Sequence, residues 1–437
     1  MSVTPSRRAA YTVIRRVFEQ GAFADRALHT AAAELDARDR ALAMTLAYGT
    51  VQRMRTLDHL LSSFVSSSLE RLEPAVLAAL RLGMYQLLYL GGVSDYAAVN
   101  ESVELAKRES RGGAKLVNAV LRRASREGPQ RLAKLDDSTP QHAAVLHSVP
   151  DWLAEMWWQE LGPERARGLL ASVNAPAESA MRVNVLRSTP EHVKAALDRS
   201  DPPIAAHSAP PWEEQPGLPE LPEMLVLEGA FDAFGSDLFR QGALMPQARG
   251  SAVVARVLAP RGGERVLDLC AAPGGKTTHL AALMGGEGEL VAVEVHPGRA
   301  RALQETCTQM GAEHVRVVQT DAREFSDERP FDRVLVDPPC SGLGTLQARP
   351  DLRWQPRRGQ LGELAEKQAQ LLRAGAAQLR AGGTLVYSVC TISRREGEGV
   401  VDDFLGEAPE FSCENRWQLL PSSDGTDGFF IALLRRA

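Results

Sequence analysis

The sequence predicts a chain in three parts: an all-α domain over 1–140, a small α+β connector over 145–240, and an α/β domain with a doubly wound parallel sheet over 245–437. Three observations carry this expectation. Between residue 6 and about 128, apolar residues recur at three- and four-residue spacing, the period of helices that bury one face. From 245 onward, apolar runs of strand length alternate with helical patterns, as in a parallel sheet covered on both faces. Between the two lie a Trp-rich helical stretch, short strands and a Pro-rich segment that reads as loop.

The helical part is built from "SRRAAYTVIRRVFEQ", "RDRALAMTLAYGTVQRMRTLDHLLSSFV" and "EPAVLAALRLGMYQLLYL". Asp95 is expected to cap the helix of "YAAVNESVELAKRES", and Gly112-Gly113 to break the chain before "AKLVNAVLRRASRE". In the connector, "VPDWLAEMWWQELG" and "TPEHVKAALDRS" read as helices, "SAMRVNVL" and "MLVLEG" as short strands, and "APPWEEQPGLPELPE" as loop. The last part offers five strands, "ERVLDL", "ELVAVEV", "VRVVQT", "FDRVLVD" and "GGTLVYSV", with "DGFFIALLRR" expected to return as an edge strand.

Composition narrows the class. The chain has 437 residues, 44% hydrophobic and 24% charged, as in soluble globular proteins. It has no apolar run of ~18 residues, so no membrane span is expected. The N-terminus shows no apolar signal core, which points to the cytoplasm. Five cysteines, at 270, 307, 340, 390 and 413, form no CxxC pair. Such scatter argues against a disulfide framework and against zinc, and suits a reducing compartment. The nine histidines show no ligand spacing either, so no metal is expected. Net charge is −5, yet residues 1–140 carry 20 Lys/Arg against 15 Asp/Glu, a surplus of +5. That surplus is compatible with an RNA-binding face and equally with solvated helices. No coiled coil is apparent, so a monomer is the default.

Chemistry concentrates where strands of the last part end. "VLDLCAAPGGKTTHLAALM" (266–284) resembles a phosphate loop, but a Walker A motif needs glycine at 270, where this chain has cysteine. The strand–turn–helix still marks a ligand site. Glu294 ends the second strand, about 20 residues past the Gly turn, where an acid can hold a ribose. The absence of GxGxxG argues against NAD. Asp321 follows the third strand and Asp337 the fourth.

Cys307 and Cys413 read as small buried hydrophobes, and Cys270 stays open. Cys340, in a Pro-Pro-Cys-Ser-Gly turn, and Cys390, just past a strand, are expected to face the crevice together. A thiolate suits one chemistry well: adding to carbon 6 of a cytosine makes carbon 5 nucleophilic enough to accept a methyl group. The base would have to be unpaired or flipped out. Lys276 either caps a carboxylate or touches ligand, and "RPDLRW" (349–354) is either an RNA-stacking element or a structural loop.

"CAAPGGKT", "DPPCSGLG" and "YSVCTI" together resemble the RNA cytosine-5 methyltransferases of the Nol1/Nop2/Sun family. "RDRALAMTLAYGTVQR" and "KLVNAVLRR" resemble a NusB-like RNA-binding domain. The resemblance implies a Rossmann-like class I S-adenosylmethionine methyltransferase domain. In it, the turn of Cys270, Ala271, Ala272, Pro273, Gly274, Gly275 and Lys276 lines S-adenosylmethionine. Glu294 takes the ribose where many relatives have Asp, with Arg299 five residues on. Asp321 sits by the adenine, and Asp337 by the methionine part and the target base. Cys390 is the implied nucleophile, and Cys340 assists release of product. The implied substrate is 16S ribosomal RNA or a small-subunit precursor. Transfer RNA, large-subunit RNA or DNA would keep the same chemistry, and a non-catalytic RNA-binding factor is the alternative of another class. The order of the cysteines argues against DNA. Two departures stand out: Gln247 is followed by Ala248 where relatives often have Asp, and "DPPC" replaces "DAPC".

Overall fold

Seven helices, α1 (Pro5–Gln20), α2 (Ala24–Ala31), α3 (Ala37–Gln52), α4 (Met54–Ser62), α5 (Pro74–Tyr89), α6 (Asp95–Glu109) and α7 (Gly113–Leu132), begin the computed structural model, which describes residues 3–110, 112–229 and 231–437. The sequence of α5, "PAVLAALRLGMYQLLY", is apolar nearly all round, and such a helix belongs in the centre. Its Ala79, Leu80, Leu82 and Met84 are fully buried. Gly49 of α3 lets the two helices approach closely, since a Cβ there would overlap the Tyr85 ring. The cap of α6 is Ser94, whose hydroxyl accepts the Ala97 N–H, and not the expected Asp95. Asp95 is the first helical residue, where its charge still complements the helix dipole.

The same compact unit continues through α8 (Pro140–Leu146), α9 (Asp151–Leu161) and α10 (Pro163–Ser172) to Ala175. Residues 145–175, read from sequence as the start of the connector, thus extend the helical unit. The unit also takes in a distant segment, Leu346–Pro356. Arg353 of that segment is fully buried and donates to the carbonyls of Gln52, Ser148 and Val173 and to Asn174 Oδ1, at 2.9–3.2 Å. The Trp354 indole donates to Val51 O at 2.8 Å. Of the two readings of "RPDLRW", the structural one holds for these two residues: their polar groups close carbonyls left open by helix ends.

The second unit comprises Pro176–Thr345 and Arg357–Ala437. It starts with an antiparallel sheet of β1 (Ala180–Val183), β2 (Ala206–Ser208), β3 (Met224–Leu227) and β4 (Leu244–Pro246) in the order β2-β3-β1-β4. Helices α11 (Pro190–Asp198) and α12 (Asp237–Arg240) lie between these strands in sequence. The larger sheet has β5 (Arg265–Leu269), β6 (Glu289–Glu294), β7 (Val315–Gln319), β8 (Phe331–Val336), β9 (Leu379–Val389), β10 (Phe411–Leu419) and β11 (Phe429–Arg436), in the order β10-β11-β9-β8-β5-β6-β7. Helices α13 (Arg249–Leu258), α14 (Gly275–Leu283), α15 (Pro297–Gln309), α16 (Gln360–Ala377) and α17 (Glu398–Glu407) accompany it.

Strands β5 to β9 run parallel, whereas β11 is antiparallel to both its neighbours, β9 and β10, so the sheet is mixed and not wholly parallel as expected. The final strand is not the edge either. β11 opens with four buried residues and inserts between β9 and β10. The edge falls to β10, whose exposed charged positions suit a strand with one open side. Strand order reverses between β5 and β8, and the crevice beyond their carboxyl ends is where such sheets bind ligands. No helix among the described residues is long and apolar enough to cross a membrane.

Candidate active site

The turn after β5 is fixed by local backbone demands. Cys270 adopts a left-handed φ of 67°, and Gly274 sits at φ 105° ahead of α14. A Cβ on Gly274 would come within 2.9 Å of Leu303 Cδ1, so both conformation and space require glycine. Asp268 on β5 is buried and accepts the Thr277 hydroxyl at 2.7 Å, pinning the first turn of α14 from below. Burial, with a smaller push from Asp337, raises its pKa to about 7. Arg182 of β1, 1% exposed, donates to Gly275 O and to Thr278 Oγ1, both at 2.8 Å. Burial lowers its pKa to about 9. The small sheet therefore braces the Gly turn with a buried guanidinium. Burial and then the surrounding acids push the Cys270 thiol up to about 12, so this cysteine stays protonated.

Three acids follow at neighbouring strand ends. Glu294, at the end of β6, is 3% exposed; Oε1 accepts the His296 N–H at 2.9 Å and Oε2 lies 3.5 Å from Arg299 Nε. Arg299 also donates to Ala272 O at 2.6 Å, tying the acid step to the Gly turn. Asp321 is occupied by Arg323, through its backbone N–H at 2.9 Å and its guanidinium, and these bonds pull its pKa to about 2. Asp337, past β8, accepts Ser388 Oγ at 2.7 Å and Lys276 Nζ at 2.8 Å. Burial works against the Lys276 charge, but Asp337 more than offsets it and raises the lysine's pKa. Its ammonium also lies 5.0 Å from the centre of the Phe429 ring. Of the two readings of Lys276, pairing with a carboxylate is the one this geometry carries.

Cys340 and Cys390 come together across adjacent strand ends, with their sulfurs 3.3 Å apart. The hydrogen bond to Cys390, followed by burial, holds the Cys340 thiol well above its ordinary pKa. Cys307 is fully buried and pushed up to about 12 by burial, a packing residue as expected. Cys413 is not: it is half-buried on edge strand β10, where its sulfur accepts Arg416 Nε at 3.2 Å. No group of three or more His, Cys, Asp or Glu among the described residues is placed to hold a metal.

Several residues at the site escaped the sequence reading. Ser388, Ser341, Thr391, Gln368 and Glu396 surround the cysteines, and Arg182 reaches the Gly turn from another sheet. Ser341 and Thr391 each stand one position past a cysteine, a spacing visible in the sequence. The partnership of Arg182 with Gly275 spans 93 positions and has no local signal.

Residues 255–435 match the family described as 16S rRNA methyltransferase RsmB/F, and residues 4–126 match the NusB family. The chain is 34% identical over 424 residues to the probable ribosomal RNA small subunit methyltransferase B of Bacillus subtilis (strain 168), covering 92% of each chain. It is 32% identical over 441 residues to the ribosomal RNA small subunit methyltransferase B of Sodalis glossinidius (strain morsitans), covering 98% of this chain and 96% of that one. The crystal structure of PH0851 covers 100% of both chains with a TM-score of 0.82 at 27% identity. NSun6 from Pyrococcus horikoshii, solved with the S-adenosylmethionine analogue SFG, covers 67% of this chain and 99% of its own with a TM-score of 0.57 at 25% identity. S-adenosylmethionine is the cofactor of this fold, and the donor set fits it. The buried Glu294 suits a ribose diol, the first N–H groups of α14 suit a carboxylate, and Asp337 suits a positive sulfonium nearby. The chain belongs to the 16S rRNA methyltransferase RsmB/F family, with a NusB domain ahead of its S-adenosylmethionine-dependent methyltransferase domain.

Proposed function

We propose that this protein methylates carbon 5 of a cytosine in small-subunit ribosomal RNA, with Cys390 forming a covalent bond to the base and Cys340 assisting its release. One observation carries the reading: two thiols 3.3 Å apart, beside the Lys276–Asp337 pair. A single buried thiol is ordinarily a packing residue; two sulfurs in contact at the ligand end of a sheet are arranged for thiol chemistry. Family membership supports the ribosomal substrate, since the relatives are named for the small subunit.

The chain's own groups serve the addition to the base and the release of product. The Cys390 thiolate, attracted by the neighbouring Lys276 ammonium, adds to carbon 6 of the cytosine, and the 5,6 electron pair moves onto carbon 5. S-adenosylmethionine supplies an electrophilic methyl group on a sulfonium. Once carbon 5 has gained the methyl, its proton leaves to a base, the 5,6 double bond re-forms, and the Cys390–carbon bond breaks. Cys340, held as a thiol, offers its S–H to the departing Cys390 sulfur. Glu294 with Arg299 would orient the ribose, Asp321 the adenine, and the turn from Cys270 to Lys276 the methionine end. The NusB domain would anchor flanking RNA through phosphate contacts, making binding salt-sensitive.

The test is transfer of tritiated methyl groups to unmethylated 16S RNA by wild type, Cys390→Ala and Cys340→Ala. Transfer by wild type, none by Cys390→Ala, and a stable protein–RNA adduct with Cys340→Ala are expected. Transfer by Cys390→Ala with none by Cys340→Ala would exchange the two roles, and no transfer to any RNA would reject the reading.

A further inference from the structure

Beneath the two cysteines lies a carboxylate with no assigned part in the reaction. Glu396 is fully buried. A buried carboxylate is costly unless a cation or several hydrogen bonds compensate it. Here the partners are neutral donors. Oε1 accepts the Ser341 N–H at 2.8 Å and the Gln368 amide at 3.1 Å, while Oε2 accepts the hydroxyls of Ser341 and of Thr391, the latter at 3.1 Å. Ser341 Oγ and Thr391 Oγ1 lie 2.9 Å from each other. Gln368 also donates to Pro339 O at 3.0 Å, and Tyr387 OH donates to the Glu396 carbonyl at 2.6 Å.

The placement is specific. Ser341 directly follows Cys340 and Thr391 directly follows Cys390, so one side chain grips the neighbour of each reacting thiol. Pro339 and Ser341, on either side of Cys340, are both held, one through Gln368 and one by Glu396 itself. The two turns leave different strands and share one further tie, Gly344 N–H to Cys390 O at 3.0 Å. Only an acceptor with two oxygens can take four donors from three segments at once; a glutamine offers one oxygen and turns its NH₂ toward donors.

We propose that Glu396 is the positioning residue of the thiol pair, setting the distance and register of Cys340 and Cys390 by clamping the residue after each. The inference rests on the cysteine roles proposed above, and adds a source for their geometry. It has a second consequence. The groups facing Cys340 are Cys390, Glu396 and Tyr387, and the Glu396 charge helps keep the Cys340 thiol protonated. Removing the charge should let Cys340 ionise at lower pH.

The experiment compares wild type with Glu396→Gln, Ser341→Ala and Thr391→Val. Melting temperature and S-adenosylmethionine affinity report folding, methyl transfer reports kcat, and site-resolved iodoacetamide alkylation of Cys340 is followed against pH. Glu396→Gln should lower kcat by about 100-fold, the scale of an ångström of misplacement, with cofactor affinity kept. It should also move the Cys340 alkylation midpoint to lower pH. Ser341→Ala, which loosens only the Cys340 side, should accumulate RNA adduct, and Thr391→Val should slow adduct formation. Wild-type kcat and an unmoved midpoint in Glu396→Gln would overturn the proposal. So would a Glu396→Gln protein that loses cofactor binding and melts early while both milder variants behave as wild type. If the wild type methylates no RNA, the functional reading fails, and alkylation together with melting still decides whether Glu396 clamps the pair.

Discussion

The Gly turn after β5 and the paired turns after β8 and β9 stand side by side at one sheet end, yet they are built in opposite ways. The Gly turn is largely self-made: left-handed Cys270 and Gly274 and the Asp268–Thr277 bond lie within ten residues, and Leu303, farther along the chain, adds the crowding that demands glycine. The Cys340 turn is held by Glu396, 55 positions away, and by Gln368, 29 positions from Pro339, while the Cys390 turn is held by the same Glu396, five positions past Thr391. A site for a fixed cofactor can be encoded in one contiguous motif. A site in which two groups from different strands must meet needs a third group to hold both.

Losing Cys390 should have the largest effect, removing at least about 10³-fold of methyl transfer, because nothing else in the pair of turns replaces a nucleophile. Arg182, like Arg299, braces the Gly turn from far along the chain, and breaking that brace sharpens the contrast. Arg182→Ala should cost about 2–4 kcal/mol, by leaving a cavity and removing the bonds to Gly275 O and Thr278 Oγ1, and should weaken S-adenosylmethionine binding about tenfold. Thermal unfolding and cofactor titration would check this; unchanged affinity with lowered stability would show that the turn holds its shape without the arginine.

Asp268 gives a pH signature for the same region. Its folded pKa, about 7, lies above the unfolded value, so the folded state binds the extra proton and stability falls as pH rises between about 4 and 7. Asp268→Asn removes that slope. Its stability should gain on wild type as pH rises, by an amount on the order of a few kcal/mol at neutral pH, read by denaturant titration across pH; parallel curves for the two proteins would show that Asp268 does not titrate in this range. The smallest expected effect concerns the departure at Ala248. This residue caps α13 without a side-chain bond, and Thr426 Oγ1 instead accepts the Gly250 N–H at 3.2 Å. Thr426→Val should cost about 1 kcal/mol, with Ala248→Asp restoring most of it; denaturant titration of both variants would decide, and a silent Thr426→Val would show that the end of α13 needs no cap.

What was legible in sequence follows the same division. Helical periodicity found the all-α domain, and apolar runs found β5 to β9, because those signals are local. The placement of β11 inside the sheet was not legible, since an edge strand and an inner antiparallel strand can share a short apolar run. Arg353 and Trp354 invited an RNA reading because their chemistry suits stacking, whereas their partners Gln52, Val51 and Ser148 lie some 200–300 positions away. The cysteines, the acids and Lys276 were found by their positions at strand ends. Glu396 was not, because its meaning comes from two turns that approach each other only in the folded chain.

The central claim is that Cys390 is the sulfur that attacks the base. The most direct measurement is to incubate Cys340→Ala with S-adenosylmethionine and unmethylated 16S RNA, digest the adduct, and locate the modified cysteine by mass spectrometry. A methylated cytidine attached to Cys390 is expected. A cytidine on any other cysteine, or a Cys340→Ala protein that turns over freely without adduct, would contradict it.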